Sequence, residues 1–252
     1  MNKISFIVFF ISISMTGQSV EFEKIAKTDS LTKKEVIINY SQNSKIKFGV
    51  QAGLNYSNFR GYNIPSAMNQ LYSENPALAY LVGINIEYKI KEKFSLKLEL
   101  NYERKSQKAD NIIEFSETGD PNEQSLKYYF STKRNYDYLV LPILLKYKFT
   151  NKKNFCISGG PFIGYLLKSK LTNNLNITGF NFDSIDFTAS NKKTDFGISL
   201  GLGKEIGLSK NKTVNFEIRE NIGLSNTSKV DVWGGGKVKT NSINLLIGFF
   251  LN

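Results

Sequence analysis

Apolar and polar residues alternate almost without exception along two stretches of this chain. Over residues 79–90, Tyr80, Val82, Ile84, Ile86, Tyr88 and Ile90 share one face. Over residues 94–103, Phe94, Leu96, Leu98, Leu100 and Tyr102 do the same. The opposite faces carry Asn85, Glu87, Lys89, Ser95, Lys97, Glu99, Asn101 and Glu103. A period of two predicts β-strands with one greasy face and one charged face. Aromatics bracket each apolar face: Tyr80 and Tyr88 on one, Phe94 and Tyr102 on the other. Eight residues rising about 3.3 Å each, tilted by about 40°, cover roughly 20 Å, close to the apolar band of a membrane barrel.

The same alternation predicts strands at residues 45–59, 136–149, 154–168, 193–206, 213–224 and 241–251, for eight in all. Their connections sort by length. Short polar turns at 91–93, 150–153 and 207–212 alternate with long segments at 60–78, 108–135, 169–192 and 225–240. This predicts an all-β fold, an eight-stranded antiparallel up-and-down transmembrane β-barrel with short periplasmic turns and long extracellular loops. An even strand count closes the sheet and leaves no open edge for lipid to meet. Pro142 and Pro161 fall inside strands, where proline cannot donate to the ladder. Gly159-Gly160-Pro161 therefore reads as a bulge or bend. The segment from Asn111 to Phe115, followed by acidic Glu117, Asp120 and Glu123, can extend a hairpin above the membrane, and its carboxylates lack the spacing of a calcium loop.

Alternation alone does not say which face is outside. In a membrane barrel the apolar face meets lipid and the polar face fills the lumen. The alternative is a secreted lipocalin-like carrier barrel with an apolar interior. Strand-end aromatics and the sorted loops favour the membrane arrangement. An eight-stranded barrel is only wide enough inside for side chains. Lys47, Glu87, Lys89, Lys97, Glu99, Lys146, Glu205, Glu217 and Arg219, together with Glu103 and Lys148, are then expected to pair across the lumen as a structural charge network that plugs it.

The chain has 252 residues and begins Met1-Asn2-Lys3, followed by a largely apolar run from Ile4 to Ile13 and small residues to Ser19. That layout predicts a signal peptide at 1–19. Residues 20–44 are polar and mixed in charge and read as a flexible periplasmic lead-in, leaving 45–252 for the barrel domain. The lone Cys156 allows no internal disulfide. Histidine is absent, which removes His-activated nucleophiles and His-ligated zinc. No catalytic, cofactor-binding or metal-binding residue is assigned, no cofactor is expected, and the chain reads as a non-enzyme. The net charge of +11 points to anionic neighbours such as outer-membrane lipid and lipopolysaccharide, not to nucleic acid. Secretion or envelope proteins are further candidate partners of a barrel expected to be monomeric. Trp233, beside Gly234-Gly235-Gly236, is a candidate loop contact.

Several strands also resemble a known family. Tyr138-Leu139-Val140-Leu141-Pro142-Ile143-Leu144-Leu145-Lys146-Tyr147 is similar to a strand of the PorT-like outer-membrane β-barrel proteins of Bacteroidetes. The runs Gly159 to Leu167, Asp195 to Gly203 and Phe48 to Ser57 resemble others in the same order, and both prolines belong to the pattern. The resemblance spans residues 45–252 and implies a small closed barrel in the outer membrane. It implies a structural, surface-interaction or secretion-supporting role, the founding member being associated with type IX secretion and gliding. It carries over no catalytic residues. The ending Phe249-Phe250-Leu251-Asn252 departs from the aromatic terminus common among barrels.

Overall fold

The structure, a computed structural model, describes residues 45–61, 72–115, 126–149, 154–173, 184–209, 211–232 and 235–251. The expected signal peptide and lead-in, the acidic loop residues Glu117, Asp120 and Glu123, and Trp233 lie outside them. Strands β1 (Ile46–Arg60), β2 (Tyr72–Lys89), β3 (Phe94–Phe115), β4 (Leu126–Lys148) and β5 (Phe155–Asn173) come first. The two-residue β6 (Ile185–Asp186) follows, then β7 (Thr194–Ser209), β8 (Lys212–Gly223) and β9 (Lys239–Leu251). Every pairing is antiparallel. The order β4-β3-β2-β1-β9-β8-β7-β5 closes through β4–β5, and β6 adds only a short bridge to β5. The eight long strands form a closed barrel.

The register fixes its girth. Moving from partner to partner, from Tyr56 on β1 across β9, β8, β7, β5, β4, β3 and β2, returns to β1 at Ile46, an offset of ten residues. For eight strands this stagger tilts each by about 40° and leaves an interior that side chains can fill.

Strand ends expose the main correction. β1, β7, β8 and β9 lie within three residues of the alternating pattern. β2 to β5 run well into segments expected to be loops at 60–78, 108–135 and 169–192. The β3–β4 ladder continues without a break in register from Asn101↔Val140 up to Phe115↔Leu126, forming a tall hairpin. Beyond the aromatic residues the outer face meets water at Lys108 and Asp110 while the inner face stays packed at Lys105, Gln107 and Ala109. Polar residues thus fall on both faces and the alternation that marked the strands lower down fades, while backbone pairing continues.

The expected bulge at Gly159-Gly160-Pro161 is not there. These residues pair in regular register with Leu200, Ser199 and Ile198 of β7. Against β4 the ladder is interrupted between Pro142↔Phe162 and Leu145↔Gly159, where prolines lack donors, without a net shift. Gly160 permits this close approach, since a Cβ there would strike the carbonyl oxygen of Ile143. The register shifts fall elsewhere, between Ala77 and Leu81, Asp137 and Tyr138, and Gly207 and Ser209.

The apolar face points out. Ile84 and Leu245 are 57 % and 56 % exposed, whereas Lys97 and Glu87 are 1 % and 4 % exposed. Leu96 is half-buried on the same outer side. Aromatics ring the outside at two levels. Phe94, Tyr147 and Phe149 stack near the short turns. Tyr80 and Tyr102 pair toward the loops, with ring centres 6.2 Å apart. Such girdles mark the two interfaces of a membrane barrel.

Candidate functional site

The barrel interior holds nearly all the buried charge, and the stagger decides which residues meet. β3 and β8 have three long strands between them on either side, so they face each other across the lumen. Glu99 on β3 accepts a two-pronged bond from the Arg219 guanidinium on β8, Nη1 to Oε2 and Nη2 to Oε1, both at 2.7 Å. Lys97 lies 2.7 Å from Glu99 and 3.4 Å from Glu217, and Arg219 also binds Glu217 at 2.8 Å. Ser158 donates to Glu217 at 2.8 Å, and Gln51 donates to Glu99 at 2.7 Å. Two cations and two carboxylates balance here, with further donors filling the remaining lone pairs, as burial of charge demands.

A second cluster sits nearer the short turns. Lys146 binds Glu87 at 2.8 Å and also Glu205, which Lys148 approaches at 2.9 Å from its other oxygen. The Phe250 ring lies between the clusters, 5.6 Å from the Lys97 ammonium and 5.7 Å from that of Lys146. Lys47 and Lys89 are not drawn in. Both are half-buried at the turn end, and neither makes an ion pair among the described residues. Their parity on the strands is inward, but their depth is that of the rim.

Toward the loops the interior changes character. Glu103 accepts from Asn55 (2.8 Å), Ser242 (3.1 Å) and Asn221 (3.4 Å), and no cation pairs with it among the described residues. Above it Lys105 reaches Asp195 (3.3 Å) and Thr240 (3.1 Å), while Thr240 and Ser225 also donate to Asp195. The Lys105 ammonium lies 5.2 Å from the Tyr138 ring centre and 5.1 Å from that of Phe162. These rings belong to an apolar cluster of Phe59, Tyr136, Tyr138, Val140, Phe162, Leu166 and Val238, with Phe187 and Val232 against it. A 3-10 turn at Thr188–Ser190 sets Phe187 edge-on to Tyr136 at 5.3 Å. The Asp186 carboxyl, held below its usual range by the Thr188 hydroxyl and N–H, anchors that turn.

Sequence reasoning missed this apolar cap and the Lys105–Asp195 pair. A signal existed: β4 is apolar on both faces over Val140 and Leu144, which a lipid face alone does not explain. Cys156 is buried and inward, its Sγ 3.9 Å from Asn215 Oδ1. Among the described residues no cluster of three or more acidic, Cys or His side chains is arranged to hold a metal.

No curated protein matches the chain. Among solved structures, Neisserial surface protein A is 13 % identical, with 81 % of this chain and 96 % of that one covered and a TM-score of 0.38. The outer membrane protein OprG from Pseudomonas aeruginosa is 14 % identical, covering 81 % of this chain and 94 % of that one at a TM-score of 0.40. Ail of Yersinia pestis, crystallised with the heparin analogue sucrose octasulfate, is 12 % identical, covering 82 % and 99 % at 0.35. The family model for the outer membrane protein beta-barrel domain matches residues 40–229. With its closed eight-stranded barrel, outward apolar band and inward charge, the chain belongs to the outer membrane protein beta-barrel domain family and resides in the outer membrane.

Proposed function

We propose that this protein is a non-enzymatic outer-membrane barrel whose lumen is closed by its own paired charges, and that it serves a structural, surface-interaction or secretion-supporting role. The observation that carries this reading is the bidentate Arg219–Glu99 bond spanning the lumen, flanked by Lys97 and Glu217. The second ion cluster toward the turns and the aromatic cap toward the loops favour a sealed cylinder over a pore. The buried carboxylates are engaged by donors inside the barrel, which suits support and not turnover. The lipocalin-like carrier finds no support in an interior lined by Lys97, Glu99 and Arg219.

On this reading residues 1–19 are a signal peptide, 20–44 a periplasmic lead-in and 45–252 the barrel. Outer-membrane lipid and lipopolysaccharide are its immediate partners, consistent with a charge of +11. A PorT-like role would have the monomer meet secretion or envelope proteins, with Trp233 as a contact at the loop side. Planar-bilayer recording tests the closed lumen. No steady porin-sized conductance is expected, and a stable large pore in the wild-type protein overturns the reading.

A further inference from the structure

The lipid-facing surface is not uniform. A groove of about 680 Å³ crosses β5, β7, β8, β9 and β1 on the outside of the barrel. It opens at Ala52, the smallest outward side chain of β1, which sits between Val50 and Leu54 and opposite Ile247 of β9. Leu202, Ile218 and Leu245 line its middle, and it ends toward the short turns at Phe155 and Lys204. By strand rise and tilt, Leu54 stands roughly 15 Å above Phe155. That is the depth of one leaflet of a hydrocarbon core about 30 Å thick.

Lys204 gives the groove a polar end. Its side chain is exposed on the outer face of β7, between Leu202 and Ile206, with the ammonium 5.7 Å from the centre of the Phe155 ring. Among the described residues no carboxylate pairs with it. Glu217, the one acidic residue along the groove, turns its carboxylate inward to Arg219 and Lys97. An unpaired cation at the edge of the apolar band, at the end of a leaflet-deep furrow, is complementary to an anionic lipid headgroup with its chain extended toward the midplane. The short turns face the periplasm, so that leaflet is the inner one.

We propose that this groove retains one acyl chain of a single inner-leaflet anionic phospholipid, with its headgroup phosphate at Lys204. This goes beyond membrane residence, because ordinary surrounding lipid has no headgroup preference at one site. The full chain, reconstituted in phosphatidylcholine vesicles, is probed with traces of chain-spin-labelled phosphatidylglycerol or phosphatidylcholine. The motionally restricted fraction is read by electron paramagnetic resonance, and heat-modifiable gel mobility identifies folded protein. Wild type favours phosphatidylglycerol about fivefold, the scale of one lysine near an anionic lipid. Lys204→Gln abolishes the preference and leaves the phosphatidylcholine signal unchanged. Ala52→Phe, or Ala52→Leu should the larger residue hinder folding, lowers the restricted fraction for both lipids. Equal association of the two lipids in wild type overturns the proposal. So does a preference that survives Lys204→Gln, or cross-linking of two barrels through this face.

Discussion

Arg219 reaches across the full width of the barrel to clasp Glu99, two strands that share no backbone hydrogen bond being joined by one guanidinium. The pair lies within a balanced set, so its two members are not equivalent to surface charges. Taking one partner away strands the other in a region water does not reach.

Arg219→Leu is therefore expected to destabilise the barrel by about 3–5 kcal/mol, because Glu99 and Glu217 then share Lys97 alone. Urea unfolding in detergent micelles or vesicles, followed by gel mobility, measures it. Adding Glu99→Gln to Arg219→Leu should return part of the loss. A double variant as unstable as the sum of the single ones would show that the two side chains act independently.

Neighbouring positions on β3 should respond oppositely to charge. Leu98 is 42 % exposed on the outer face, midway between the aromatic levels, while Lys97 is buried inside. Leu98→Lys is expected to cost about 2–4 kcal/mol, as a lysine does near the bilayer midplane. Leu98→Ile should be near neutral. Reversible unfolding in vesicles checks both, and a tolerated lysine would place this face away from hydrocarbon.

The Lys105–Asp195 pair is walled by Tyr138 and Phe162. Asp195→Asn should cost about 3–5 kcal/mol by leaving a buried ammonium without its anion. Combining it with Lys105→Met should recover most of that loss, since the methionine fits an aromatic wall and carries no charge. A double-mutant cycle on unfolding free energy reads the coupling.

Gly160→Ala is expected to lower stability by about 1–3 kcal/mol through overpacking against the Ile143 carbonyl. Gly235→Ser is its control: that residue stands on a loop with nothing within 4 Å of an added Cβ, though its φ of 67° adds modest backbone strain. Comparing the unfolding midpoints of the two separates crowding in the wall from a local loop effect.

How much of this was legible depends on where along each strand one looks. Between the aromatic levels lipid imposes one face and the lumen the other, and Val214, Phe216 and Ile218 against Asn215, Glu217 and Arg219 display both at once. Above that level, Ser73, Glu74 and Asn75 on β2 are met by Asp110, Ala109 and Lys108 on β3, and no pattern marks them as strand. Parity told which way Lys47 and Lys89 point but not how deep they sit. Pairing was also out of reach. Whether Glu99 meets Arg219 or some other cation follows from the ten-residue stagger, which belongs to the closed sheet and to no single segment. The aromatic cap escaped because an inward apolar residue such as Leu166 or Val140 does not show in sequence what it packs against, even where β4, apolar on both faces, shows that the interior is not all polar.

The unequal strands give the molecule a high side and a low side toward the exterior. From Tyr102 to Phe115 the β3 ribbon climbs roughly 30 Å, whereas β8 stops at Gly223. A sugar layer of intermediate depth would submerge the low parapet and leave the crest standing clear. Among the described residues, anything approaching from outside thus meets a one-sided turret before it meets the barrel's mouth.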